Sequence, residues 1–185
     1  VVDKYMAEQN RVVGTDKKGN PIYAIGDAPN IFNTDDAKMM SPDYAGSKDD
    51  PAGTLKARGE FNVAVHQTAN AIAKRAFMKA LDNLPKGKRV LVTAGGCGAG
   101  KGFALGQVGE TAALAGEAAA IWDAAGDQNS TENEWVLQEC RKRGIEAVFT
   151  FVHADPIKVW ADPAGGVVER AQKKGRMIDH QVFAE

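Results

Sequence analysis

One stretch constrains this chain more than any other: Arg89-Val-Leu-Val-Thr-Ala94, followed at once by Gly95-Gly-Cys-Gly-Ala-Gly-Lys-Gly102. The first part is a short apolar run of buried-strand type, and the Ala-rich stretch from Lys101 to about Ala115 predicts a helix behind it. Between them Gly95, Gly100 and Lys101 meet the spacing G-x-x-x-x-G-K. Small residues at such positions let successive backbone amides turn inward around a phosphate chain, and the lysine reaches its terminal phosphates. The segment expected to cradle phosphate therefore comprises Gly95, Gly96, Cys97, Gly98, Ala99, Gly100, Lys101, Gly102 and Phe103. A purely structural glycine turn is the competing reading, but it would not require a strand before the loop and a helix after it.

Composition removes several other classes. The chain has 185 residues, of which 23 are Lys or Arg and 24 are Asp or Glu, a net charge of −1. No overall field draws it to nucleic acid or to an anionic membrane. No apolar run approaches the roughly 18–20 residues of a membrane span. The two cysteines, Cys97 and Cys140, are too few for a disulfide framework, so a reducing, cytoplasmic setting is expected. With three histidines and no ligand spacing, a zinc site is not expected.

The first 60 residues differ from the rest. Arg11–Thr15 and Pro21–Ile25, joined by Asp16-Lys-Lys-Gly-Asn20, predict a β-hairpin. Residues 26–59 show no sustained period and predict an irregular surface segment. Seven acidic against four basic residues between Asp27 and Glu60 suit a solvated loop. Asn62 is the expected cap of a long helix reaching Leu84, its apolar stripe made of Ala69, Ile72, Ala73, Ala76, Phe77, Ala80 and Leu84. Farther on, Ala118–Trp122 predicts a second core strand ending on Asp123. Thr131-Glu-Asn-Glu134 predicts a capping box opening a helix that stops at Gly144, and Glu146–Val152 predicts a third strand. Strand, helix and strand in this order form βαβ units, which require parallel strands with helices on the faces.

Two further features carry chemistry. Asp123 falls at the carboxyl end of a core strand, where ligands of open α/β sheets gather. A carboxylate there can serve as base toward an acceptor hydroxyl, or hold Mg²⁺ through water. Asp127 is a weaker substitute and suits a turn. The basic stretch Gly166–Arg176 offers Arg170 and Arg176 as lid residues that close over a transferring phosphoryl group, with Lys173 and Lys174 on a solvated face. His66, His153 and His180 are expected to be structural or uninformative, and Cys97 a small filler of the loop.

These elements in this order resemble the zeta-toxin-like branch of P-loop kinases over roughly residues 60–185. The anchors are Val65-His66, Ala69-Asn70, Val92–Lys101, Ile121-Trp-Asp123, Phe151-Val-His-Ala-Asp-Pro156, Glu169-Arg-Ala171 and Lys174-Gly-Arg176. The resemblance implies a kinase that uses ATP or GTP, with Mg²⁺, on a hydroxyl of a small molecule. In the family's toxins that molecule is a UDP-linked amino sugar, and an antitoxin-like protein is a partner. Two departures stand out. Gly102 replaces the usual loop hydroxyl, and Phe103 follows it, whereas adenylate kinase carries Gly and then Thr. Only about 22 residues separate Lys101 from Asp123, so Asp123 matches either of the family's two carboxylates.

The fold expected is a three-layer α/β P-loop NTPase domain with a parallel sheet over 61–185, preceded by a hairpin and irregular extension over 1–60, and by the long helix. Three core strands fall short of the roughly five of an open sheet of this kind, so a piece of a longer chain, truncated at its C-terminus, is expected. The leading function is nucleotide-dependent phosphotransfer with Lys101, Asp123, Arg170 and Arg176 as the catalytic set and no protein metal ligand. The alternatives are a nucleotide-binding module without transfer activity inside a larger protein, and a nucleoside-monophosphate kinase. The partners expected are the nucleotide, a small acceptor, and an antitoxin-like protein or further domains, with neither nucleic acid nor membrane.

Overall fold

Apolar periodicity alternates along the chain between the helical and the extended kind, and the structure follows it. The computed structural model describes residues 1–47, 49–96, 99–107, 109–123, 131–162 and 166–174. Helix α1 (Val2–Asn10) buries Tyr5 and Gln9, one turn apart on a single face. The expected hairpin is present as β1 (Val12–Thr15) and β2 (Pro21–Tyr23), antiparallel and largely exposed. Its turn is organised by Asp16, whose Oδ1 accepts from the amides of Lys18 at 2.7 Å and Asn20 at 2.8 Å.

Residues 26–59, read from sequence as irregular, instead contain β3 (Ile31–Phe32), α2 (Thr34–Lys38), α3 (Pro42–Ala45) and the start of α4 (Pro51–Asp82). Local signals for these pieces are short: Asn33 caps α2 by accepting the Asp36 amide at 2.7 Å. Helix α4 begins at Pro51 and not at Asn62. Asp50 caps it, with Oδ1 accepting the Gly53 amide at 2.9 Å, and Pro51 takes the first position, where its missing N–H costs nothing. Gly53 and Gly59 mask this start, each disfavoured in a helix by about 1 kcal/mol against Ala. Asn62 has a different task, accepting the buried Lys38 ammonium at 2.7 Å and so tying α2 to α4.

The remaining elements are β4 (Arg89–Ala94), α5 (Lys101–Gln107), α6 (Gly109–Glu117), β5 (Ala120–Asp123), α7 (Thr131–Lys142), β6 (Glu146–Phe151), α8 (Pro156–Ala161) and α9 (Val167–Lys174). The single helix expected over Lys101–Ala115 is thus two, and Gly109 opens the second with a φ of 28°. The second core strand begins at Ala120 and includes Asp123. Thr131 lies within helix α7 and not before it; the residues ahead of it, 124–130, lie outside the described residues. Gly144, at φ 66°, ends α7 as expected, with the Ile145 amide returning to the Cys140 carbonyl at 3.0 Å.

Strands β3, β5, β4 and β6 form one four-stranded parallel sheet in that order. Side chains alternate across it and meet helices on both faces. On one face Val90, Val92, Ala120 and Trp122 pack with Ala73, Phe77, Val136 and Cys140 of α4 and α7. On the other Leu91 and Ile121 pack with Leu105 and Leu114 of α5 and α6. Phe32, Phe77, Trp122 and Trp135 form an aromatic group at the first face, with ring centroids 5.1 to 6.1 Å apart. Such pairs add about 0.5–1.5 kcal/mol each beyond the area they bury. Tyr5, Ile25 and Ala37 join the same core, so the N-terminal elements pack against the sheet directly.

Candidate active site at the carboxyl end of the sheet

The chain leaves β4 toward β5 on one side and then passes to β6 on the other. Consecutive crossovers therefore diverge at the carboxyl end of β4, the place where open α/β sheets form a crevice for ligands. The glycine loop begins there. Gly95 has a φ of 146°, a conformation that side chains rarely adopt, and a Cβ at this position would run into the Val152 carbonyl oxygen. The close approach follows from the sheet, because Val152 continues β6 and its amide donates to the Ala94 carbonyl at 2.8 Å. Gly100, at φ 85°, makes the second left-handed turn before α5.

Lys101 opens α5 and folds back over the loop. Its Nζ donates to the Gly95 carbonyl at 2.9 Å and to the Gly96 carbonyl at 3.4 Å. The ammonium thus lies over the mouth of the turn. The first intrahelical acceptor of α5 is the Gly100 carbonyl, taken by the Ala104 amide at 2.9 Å. The amides of Lys101, Gly102 and Phe103 precede that bond and have no acceptor within the helix. Phe103 is 64% exposed, and a side chain at Gly102 would enter open space.

Asp123 sits beside this loop. Parallel pairing places it in register with Thr93 of β4, and the Thr93 hydroxyl donates to Asp123 Oδ1 at 2.7 Å. Burial pushes the Asp123 carboxyl above the usual carboxylate range. The Thr93 hydrogen bond and the Lys101 charge act the other way, while the Asp35 and Asp27 carboxylates add to the upward push. The structure therefore brings the lysine, the glycine turn and the strand-end carboxylate together at the carboxyl end of the sheet.

Arg170 lies on α9, and its side chain is outside the described residues, as are Arg176, Cys97, Gly98, Asp127 and His180. His66 and His153 are exposed. Asn70 is engaged in packing: its Nδ2 donates to Glu132 Oε1 at 2.7 Å and to Thr34 Oγ1 at 3.2 Å, joining α4, α7 and α2. Among the described residues no group of three or more His, Cys, Asp or Glu could hold a metal ion, and no helix is long and apolar enough to cross a membrane. A separate open groove of about 630 Å³, walled by Lys4, Ile25, Met39, Leu55 and Arg58, belongs wholly to the N-terminal elements and contains none of the expected site residues.

Three participants escaped the sequence reading: Thr93, Asp27 and Asp35. A hydroxyl inside the otherwise apolar run 89–94 was the available signal for Thr93. Nothing local marks Asp27 or Asp35, whose placement depends on β3 joining β5. No family model matches the chain, and no curated protein matches it.

Proposed function

We propose that this chain binds a nucleoside triphosphate, ATP or GTP, at the glycine loop and transfers its terminal phosphoryl group to a hydroxyl of a small molecule. The observation that carries this reading is the Lys101 ammonium held over the Gly95 and Gly96 carbonyls, close enough to act on the half-buried Asp123. A phosphate chain entering the turn offers the ammonium stronger, charge-assisted acceptors than two neutral carbonyls. The amides of Lys101, Gly102 and Phe103 supply further donors.

In the reaction the acceptor oxygen attacks the terminal phosphorus, the bond from that phosphorus to its bridging oxygen breaks, and the nucleoside diphosphate leaves. Asp123 takes the acceptor's proton. Its neighbours favour this role: burial raises its proton affinity, while Lys101 and Thr93 keep the carboxylate accessible. Arg170 and Arg176 are the proposed lid. The donor set does not fit a directly ligated Mg²⁺, since position 102 carries no hydroxyl. The ion that accompanies a nucleotide would be held by nucleotide oxygens and water, and no step here is routed through it. A reducing cytoplasm, where nucleoside triphosphate is supplied, is the proposed setting.

Gly102 and Phe103 favour one rival, a nucleotide-binding module without transfer activity. Calorimetry with MgATP and MgGTP, followed by diphosphate release across a panel of hydroxyl metabolites, separates the two. Phosphotransfer predicts acceptor-dependent release, and the module predicts binding alone. Binding left unchanged by Lys101→Ala would remove the phosphate site itself.

A further inference from the structure

The hydroxyl of Thr93 lies within a strand whose flanking residues, Val90 to Ala94, are all buried, and Thr93 itself is fully buried. A buried hydroxyl without a partner costs about 1–3 kcal/mol, so it has to find one. Its partner is Asp123 Oδ1, at 2.7 Å. An O–H donor on a carboxylate makes a charge-assisted bond, roughly twice as strong as a neutral one. The two residues face each other across the β4–β5 ladder, in register, so both main chains are fixed by the sheet. Thr93 is β-branched, which restricts its χ1 and hence the direction of its hydroxyl. Asp123, by contrast, stands at the last position of β5 with a side chain able to turn about two bonds.

We propose that Thr93 is a positioning residue for phosphotransfer: it holds Oδ1 of Asp123 and thereby presents Oδ2 to the acceptor hydroxyl. This rests on the reading of Asp123 as the base. Oδ1 is committed to the Thr93 proton, so the proton leaving the acceptor goes to the oxygen that lacks this bond. Free rotation of the carboxylate would spread its approach over many directions, and misplacement of a base by about 1 Å lowers rates by up to about a hundredfold. The groups acting electrostatically on Asp123 are Lys101 from α5, Asp35 from α2 and Asp27 from the loop before β3. Thr93 is the group that fixes Oδ1 by a hydrogen bond, at 2.7 Å.

The test uses the full chain and basal hydrolysis of MgATP, with water as the acceptor. Thr93→Val replaces the hydroxyl by a methyl of equal bulk, and Thr93→Ser returns the hydroxyl on a less branched side chain. Expected for Thr93→Val is a fall in kcat of about tenfold with KM and calorimetric affinity for MgATP within about twofold of the parent. Thr93→Ser is expected to recover most of the lost kcat. A structural role alone would move melting temperature and affinity together and would not separate kcat from KM. The proposal is overturned if Thr93→Val hydrolyses MgATP at the parent rate, or if Thr93→Ser fails to recover it. Asp123→Asn marks the other failure: if it hydrolyses MgATP at the parent rate, Asp123 is not the base, and the underlying reading falls together with the role of Thr93.

Discussion

The two faces of the sheet are built from different materials. One is filled by bulky rings: Phe32, Phe77, Trp122 and Trp135 interlock between β3, α4, β5 and α7. The other is thin, with Leu91, Ile121 and Leu105 against α5 and α6, whose sequence is dominated by Gly and Ala. The glycine loop leads directly into the thin face. The bulky burial is concentrated on the face opposite the one that this loop enters. Stability and candidate chemistry are thereby divided between the two surfaces of a single sheet.

Substitution can break this division, and the largest effect is expected on the aromatic face. Phe77→Ala removes the ring that touches three others and should destabilise the protein by about 3–5 kcal/mol in urea unfolding. At the loop, Gly95→Ala combines a disfavoured φ with a collision against the Val152 carbonyl, and should cost about 2–3 kcal/mol while weakening nucleotide binding. On the thin face, Leu105→Ala should cost about 2 kcal/mol, near the lower end of such truncations because few bulky neighbours surround it. Equal losses for Phe77→Ala and Leu105→Ala would erase the contrast between the faces.

The smallest effect has the opposite sign. The Asp123 carboxyl is raised in the folded protein, so across the window above its ordinary value of 3.8 the folded state holds more proton than the unfolded one. Its contribution to stability is therefore lost as pH rises through the folded value. Asp123→Asn should raise the melting temperature at pH 7, and the gain should shrink as the pH falls toward 4. A gain that is constant with pH would show that the carboxylate is not penalised by its burial.

The parts legible in the sequence were those whose signals are local. The run 89–94, the glycine loop, Asp123 at a strand end and the Gly144 stop each announce themselves within a few residues. Strand β3 does not: Ile31 and Phe32 are two apolar residues between asparagines, too short for any period, and they become a strand by pairing with Ile121 and Trp122. The start of α4 was hidden because Gly53 and Gly59 dilute its helical character, although Asp50-Pro51 is a sound opening. The Thr93–Asp123 contact was invisible for a different reason. It depends on register between strands, and a strand's sequence does not state which residue of a neighbour it will face.

The strand order has a consequence for synthesis. β3 is the earliest part of the sheet to be made, yet its neighbour β5 lies ninety positions later. Until residues 120–123 emerge from the ribosome, Ile31 and Phe32 have no strand to join, and the α4 face around Phe77 lacks Trp122. Strand β3 and the apolar stripe of α4 must wait, uncovered, for residues 120–123. Long-range closure of this kind is slow and exposes sticky surface meanwhile. A nascent chain stalled before Asp123 is accordingly the form of this protein most in need of a chaperone.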